Sequence, residues 1–101
     1  MKNKGFAPTE EQLNKIGVFF KIMGDATRLK ILTVLLSGNL CVKHISEAVE
    51  MSQSAVSHQL AVLKSARLIK SRREGKQIYY SLDDAHIGAI LCTGISHVEE
   101  D

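Results

Sequence analysis

Two short helical segments joined by only three residues place the strongest constraint on how this chain folds. Residues Val42 to Val49 and Gln53 to about Ala66 both carry apolar side chains at helical spacing. The link between them is Glu50-Met51-Ser52, and the Ser52 hydroxyl suits the N-cap of the second helix. A pair of helices with so short a link is typical of a helix-turn-helix, which we predict over about residues 42–66.

The outer face of the second helix is small and polar. Val56, Leu60 and Leu63 form its apolar stripe, so the opposite face is left to short hydroxyl, amide and imidazole side chains. The major groove of DNA is about 12 Å wide and admits a helix with little room for bulk, and such side chains can bond base edges. The candidate DNA-contacting residues of this helix are Gln53, Ser54, Ser57, His58 and Gln59.

A basic hairpin follows the helix-turn-helix. Residues 68–73 and 77–82 have strand-like composition on either side of Glu74-Gly75-Lys76, which fits a glycine-containing hairpin tip. A hairpin in this place predicts the winged form of the motif, with the wing over about residues 68–82. Cationic side chains here can neutralise DNA phosphates, and the candidates are Lys64, Arg72, Arg73 and Lys76.

The remaining segments predict three more helices, so the expected fold class is mainly α with a small β-hairpin. Thr9-x-x-Gln12 is a capping-box pattern ahead of a first helix, Asp25 can cap a second, and a last helix covers about residues 83–100. A chain of 101 residues with 45% hydrophobic content is expected to form a single domain over residues 1–101. No apolar run approaches the roughly 18 residues that cross a bilayer, so we expect a cytoplasmic protein with no membrane partner.

The formal net charge of +2 hides two opposed segments. Residues 64–76 carry six Lys and Arg against one Glu, a net charge of +5, whereas residues 83–101 carry five Asp and Glu with no Lys or Arg, a net charge of −5. A compact basic segment suits an anionic polymer such as DNA, and an acidic segment that also holds two histidines suits a cation. Charge therefore predicts separate DNA-binding and metal-binding regions.

The acidic segment contains two pairs of candidate metal ligands, Asp84-x-His86 and His97-x-x-Glu100. On an α-helix the two histidines share nearly one face but lie about 16 Å apart along the axis. One helix therefore cannot gather all four ligands around a metal with bond lengths of about 2.0–2.2 Å. If two copies of the helix pair antiparallel about a two-fold axis near position 92, Asp84 and His86 of each copy lie opposite His97 and Glu100 of the other, which predicts two sites per dimer.

Three stretches of the chain resemble the ArsR/SmtB family of bacterial metal-sensing repressors. They are Lys21 to Leu32 (KIMGDATRLKIL), Ser52 to Lys64 (SQSAVSHQLAVLK) and Arg73 to Leu82 (REGKQIYYSL), within a similarity that covers roughly residues 15–100. The resemblance implies a homodimeric winged helix-turn-helix with the first and last helices at the dimer interface. It also implies a repressor that binds operator DNA and releases it when an inducer binds.

The resemblance further implies a metal site on the last helix, where the family pattern is Asp-x-His followed by His-x-x-His or His-x-x-Glu. The ligands carried over to this chain are Asp84, His86, His97 and Glu100, with Glu99 as the alternative fourth ligand. Two imidazoles and two carboxylates suit Zn(II) or Co(II) as the allosteric inducer, whereas Ni(II) prefers more ligands. Family members that sense soft metals have Cys-Val-Cys where this chain has Cys41-Val42-Lys43, so a thiolate-rich site is not expected there.

Other functions stay open on the sequence alone. A thiol-redox or persulfide-responsive repressor would use Cys41 and Cys92, a related repressor would respond to Co(II) or Ni(II), and a constitutive DNA-binding module would have no inducer. No arrangement of nucleophile, base and phosphate-binding loop favours an enzyme, so we expect neither catalysis nor a small organic substrate. The expected partners are operator double-stranded DNA and a second copy of the chain.

Overall fold

The computed structural model of the protein describes residues 7–100. Within this range the chain forms five α-helices and three β-strands. In chain order these are α1 (Glu10–Met23), α2 (Ala26–Val34), β1 (Leu40–Cys41), α3 (Val42–Val49), α4 (Gln53–Ser65), β2 (Ile69–Glu74), β3 (Gln77–Leu82) and α5 (Ala85–Glu99). The prediction of a mainly helical chain with a small β-hairpin is confirmed, and the short strand β1 is an element that the sequence pattern did not predict.

Side chains at the predicted caps start the first two helices. The Thr9 hydroxyl accepts a hydrogen bond from the backbone N–H of Gln12, and the Gln12 side chain accepts one from the N–H of Thr9. The Asp25 carboxylate accepts from the backbone N–H of Arg28 and so caps α2. Helix α2 ends at Val34, and residues 35–37 continue as a single 3₁₀ turn before Gly38, whose φ of 131° suits glycine.

The turn between α3 and α4 is closed by backbone geometry as well as by a cap. Glu50 adopts the left-handed conformation with φ 58°, and the N–H of Met51 donates to the carbonyl of Ser46 at 3.1 Å. The Ser52 hydroxyl then accepts from the backbone N–H of Ala55 at 3.0 Å and starts α4. These bonds fix the direction of α4 relative to α3.

The three strands form one antiparallel sheet in the order β1-β3-β2. Strands β2 and β3 make the hairpin, with Arg72 opposite Tyr79 and with Gly75 in the tip at φ 62°. Strand β1 pairs with the other edge of β3 and places Cys41 opposite Tyr79. Because Cys41 leads directly into α3, the hairpin is joined to the helix-turn-helix through β1 as well as through the end of α4.

One apolar core lies beneath the helices and the base of the hairpin. It takes side chains from all five helices and from the start of β2, with Ile87 and Leu91 as the buried residues of α5. The fully buried side chains are Ile31, Leu32, Ile45, Val56, Leu60, Leu63, Leu68 and Ile69. Burial of this apolar area is the main favourable term that holds α4 and the hairpin in place. None of the helices in residues 7–100 is both long enough and apolar enough to span a membrane.

Candidate DNA-binding surface and metal site

The outer face of α4 is exposed because its apolar stripe is turned into the core. Val56, Leu60 and Leu63 are at most 1% exposed, which leaves the opposite side of the helix to solvent. Four of the candidate DNA-contacting side chains lie on that exposed side, namely Gln53, Ser54, Ser57 and His58. The arrangement presents short hydrogen-bonding groups on a convex helix surface, as insertion into a major groove requires.

Gln59 differs from the other candidates because it is half-buried and already bonded within the chain. Its side-chain oxygen accepts a hydrogen bond of 3.0 Å from Nε of Arg28 on α2. Sequence reasoning missed Arg28, since the two residues are 31 positions apart and nothing in the local pattern relates them. Arg28 is therefore a further residue that determines how a side chain of α4, that of Gln59, is oriented.

The basic side chains of the wing lie on both of its faces. Arg72 and Arg73 are neighbours on β2, so their side chains project to opposite sides of the sheet. Arg72, Arg73 and Lys76 are all exposed. Arg72 also forms an ion pair of 2.8 Å with Glu74, which offsets part of its charge. On α4, Nζ of Lys64 donates to the Ser71 hydroxyl at 2.7 Å and links the end of that helix to β2.

Asp84 and His86 form one compact pair at the start of α5. Asp84 is the N-cap of the helix, and its Oδ1 accepts from the backbone N–H groups of His86 at 2.9 Å and of Ile87 at 3.4 Å. The second carboxylate oxygen lies 3.4 Å from Nδ1 of His86, whose side chain is 89% exposed. The helix cap thus holds both side chains side by side and open to solvent.

The surroundings of Asp84 favour the ionised carboxylate. Desolvation raises the pKa of this carboxyl, but hydrogen bonds from the His86 side chain and from the N–H groups of His86 and Ile87 lower it, as does the charge of His86. The lowering effects win, so the pKa of Asp84 lies below its ordinary value. A metal ligand must be deprotonated, and Asp84 meets that requirement.

His97 and Glu100 lie at the opposite end of α5 and are exposed. Within the part of the chain that the structure describes, no three His, Cys, Asp or Glu side chains are close enough together to hold a metal ion. The donor set fits a metal in chemical type, because imidazole and carboxylate are ordinary Zn(II) ligands, but a single chain brings these ligands together only in pairs, Asp84 with His86 and His97 with Glu100. A complete four-ligand site therefore needs a second chain.

A groove of about 900 Å³ runs between α1, α4 and α5. Asp84 and His86 lie at one part of its wall, and His58 and Arg67 contribute from α4 and the residues that follow it. Most of the remaining lining is apolar. Two of the four candidate metal ligands, Asp84 and His86, thus border the same concave surface as the candidate DNA-binding helix.

Helices α1 and α5 expose an unusual number of large apolar side chains. They are Leu13, Ile16, Val18, Phe20, Ile95 and Val98, with exposed fractions from 40% to 72%. A further groove between α1, α2 and α5 contains Phe20 and Val98. Of the six, Phe20, Ile95 and Val98 share this groove, and an exposed apolar patch is typical of a protein interface.

The two cysteines occupy different environments. Cys41 is buried where β1 meets α3, and its Sγ lies 3.5 Å from Nδ1 of His44. Cys92 is exposed on α5. The cysteines are thus separated by element and by burial, an arrangement that does not favour a switch in which the two thiols act as a pair.

Comparison with known proteins relates this fold and surface to bacterial regulators. The sequence profile described as "Bacterial regulatory protein, arsR family" matches residues 25–71. The chain is 39% identical to the transcriptional repressor SmtB homolog of Synechocystis over 89% of this chain and 68% of the relative. It is 43% identical to the cadmium resistance transcriptional regulatory protein CadC homolog of Staphylococcus aureus, over 80% of this chain and 68% of the relative.

A solved structure gives the same answer for the fold. The homodimeric winged helix-turn-helix DNA-binding domain of a Mycobacterium bovis protein superposes with a TM-score of 0.84 at 26% identity, and the match covers 94% of this chain and 91% of that one. The winged helix-turn-helix prediction is thereby confirmed. The expectation that the chain is not an enzyme is confirmed as well, because the similar proteins are transcriptional regulators. Helix-turn-helix, basic wing and sequence similarity agree, and the chain belongs to the ArsR/SmtB family of DNA-binding transcriptional regulators.

Proposed function

We propose that the chain is a metal-responsive repressor of the cytoplasm that binds operator DNA as a metal-free homodimer and leaves it on binding Zn(II). The observation that carries the proposal is the division of the candidate ligands between the two ends of α5. Asp84 and His86 lie together at one end, and His97 and Glu100 lie at the other, so only a partner chain can complete a site. Each chain of 101 residues acts as one domain in this proposal.

Dimerisation through α1 and α5 is supported by the apolar side chains that these helices expose. In the proposed dimer the two α5 helices run antiparallel, which brings Asp84 and His86 of one chain near His97 and Glu100 of the other. The same symmetry creates two equivalent sites. The related protein of known structure is described as homodimeric, which agrees with this arrangement.

DNA binding uses α4 and the wing in the proposed complex. A dimer presents two copies of α4, and these enter successive major grooves about 34 Å apart. Gln53, Ser54, Ser57 and His58 face the bases or the adjoining backbone, and the wing cations contact phosphates. Gln59 takes part through the face that Arg28 leaves free.

A bound Zn(II) ion would supply a cross-link between the two chains at each site. Two imidazoles and two carboxylates match the tetrahedral nitrogen and oxygen coordination that Zn(II) accepts. Holding the ends of α5 against the partner changes which dimer arrangement is favoured, and the separation of the two α4 helices changes with it. Linkage requires that DNA weaken metal binding by the same factor by which the metal weakens DNA binding.

Metal titration of the DNA-bound dimer tests the proposal. The probe is a duplex that the metal-free protein selects from a random-sequence library, and fluorescence anisotropy follows its release. We expect Zn(II) to weaken binding by about 5–150-fold with two metal ions bound per dimer, which is the usual range for allosteric coupling. Parallel titrations with Co(II) and Ni(II) rank the inducers. Unchanged DNA affinity at saturating metal would contradict the proposal.

The basic wing provides a separate prediction about DNA affinity. Arg73→Ala and Lys76→Ala should each reduce the slope of log affinity against log salt by about one, because each change removes one phosphate contact. Affinity should fall alike for the selected duplex and for an unrelated one. Filter binding between low and moderate salt measures the slope. Lys21→Ala, which removes an exposed cation from α1, is the matched control and should leave the slope unchanged.

A further inference from the structure

Arg28 bonds to three different parts of the chain. Its Nε donates to Oε1 of Gln59 on α4 at 3.0 Å, and its Nη1 donates to the backbone carbonyl of Ile22 in the last turn of α1 at 3.4 Å. Its own backbone N–H is held by the Asp25 carboxylate that caps α2. A single side chain thus spans from the end of α1 to the middle of α4.

The Arg28–Gln59 bond has no counterpart elsewhere in residues 7–100. Every other side-chain to side-chain hydrogen bond and every ion pair in that range joins residues no more than seven positions apart. Apart from the bond of Arg28 to the Ile22 carbonyl, the core between the helices is apolar, and apolar contacts are non-directional. Within residues 7–100, the Arg28–Gln59 bond is therefore the directional contact that ties a side chain of α4 to an element distant in the sequence.

The chemistry of the two groups fixes how Gln59 is oriented. Arginine has only donors, so Gln59 must turn its carbonyl oxygen toward Arg28 and its NH₂ group away. A glutamine that reads adenine needs both groups, because it accepts from N6 and donates to N7 of the base. Because the oxygen is turned toward Arg28, the NH₂ group is the part of the Gln59 amide that is turned away from α2 and offered to DNA.

We infer that Arg28 is a positioning residue for DNA recognition, which fixes Gln59 of α4 as a hydrogen-bond donor to acceptor groups of the operator. The inference rests on the proposed DNA-binding role of α4. O6 and N7 of guanine, N7 of adenine and O4 of thymine are the base-edge acceptors available to such a donor. Bidentate recognition of adenine would require the same oxygen to accept from Arg28 and from N6 of the base at once.

Sequence selection by variants tests this inference. Wild type, Arg28→Met, Gln59→Leu and the double variant are each used to select duplexes from a random library, and their affinities for the wild-type duplex are measured. We expect Arg28→Met to bind that duplex about tenfold more weakly, as loss of a hydrogen bond to a charged group implies. We also expect it to change base preference at the positions that Gln59→Leu changes. In the Gln59→Leu background, Arg28→Met should have no further effect on affinity.

Controls separate this role from general effects of charge and folding. Lys30→Met removes an exposed cation from the same helix and should keep the wild-type preference. Circular dichroism reports whether each variant is folded. Arg28→Lys is a second variant at this position that keeps the positive charge near α1, and its base preference should change as that of Arg28→Met does. In the absence of DNA, the Arg28 Nε–H resonance should differ in chemical shift between wild type and Gln59→Leu.

Three results would overturn the inference: an unshifted resonance, an unchanged base preference in folded Arg28→Met or Arg28→Lys, or independent effects in the double variant. Failure of the proposed function has a different signature, because the wild-type protein itself would then select no preferred duplex. The wild-type arm of the selection therefore distinguishes the two failures.

Discussion

Replacing His97 with alanine is expected to abolish the effect of Zn(II) on DNA binding while leaving the affinity of the metal-free protein unchanged. The wild-type response of about 5–150-fold should fall to about onefold, because each inter-subunit site loses one of its two imidazoles. His97 is exposed near the end of α5, so the substitution should leave the core and α4 intact. Anisotropy titrations with and without Zn(II), together with metal counts per dimer, measure both effects.

The matched control for this prediction is His44→Ala. His44 is also exposed, but it lies on α3 beside Cys41 and away from α5. It should therefore keep the full response to Zn(II). If His97→Ala kept the response and His44→Ala lost it, the metal site would have to be moved to the start of α3.

Replacing Val98 with aspartate should convert the dimer into a monomer and weaken DNA binding by about 100-fold or more. Val98 is 72% exposed and belongs to the apolar surface of α1 and α5, so a carboxylate there would be buried without a partner in the dimer. The monomer engages one half-site, and the gain from binding two linked half-sites, about 10²–10⁴-fold, is lost. Analytical ultracentrifugation gives the oligomeric state, and anisotropy gives the affinity.

Two further variants at position 98 isolate the cause. Val98→Lys should also dissociate the dimer, which distinguishes loss of the interface from repulsion between an added carboxylate and DNA. Val98→Ala keeps an apolar surface and should stay dimeric. Because the monomer exposes this side chain, all three variants should fold, although the two monomeric ones lose the stabilisation that dimer formation gives wild type. A dimeric Val98→Asp with wild-type DNA affinity would show that the interface lies elsewhere.

Most helices of this fold could be predicted because local rules decide where they begin. The hydroxyls of Thr9 and Ser52 and the carboxylate of Asp25 all cap helices as their sequence patterns indicated. Strand β1 could not be predicted, since Leu40 and Cys41 are too few to show a strand period. They form a strand because β3 offers them an unpaired edge, and that edge exists only once the chain has folded.

The candidate site shows the same division between local and distant information. The sequence indicates Asp84 and His86 as a pair because they are two residues apart on a capped helix. It cannot show that Gln59 is bonded to Arg28, because that contact depends on how α2 packs beside α4. Nor can one chain show the proposed metal site, because its second half would belong to another copy.

The strand β1 has a mechanical consequence for how such a regulator can change state. The hairpin is tied to the helix-turn-helix in two places, by the pairing of β1 with β3 just before α3 and by the connection from α4, where Lys64 bonds Ser71. We therefore expect the wing and α4 to move together as one unit. In the proposed dimer, an allosteric signal that reaches this unit would shift its position relative to the same unit of the partner chain. The signal would then change which half-site spacing the dimer fits rather than the sequence read within each half-site.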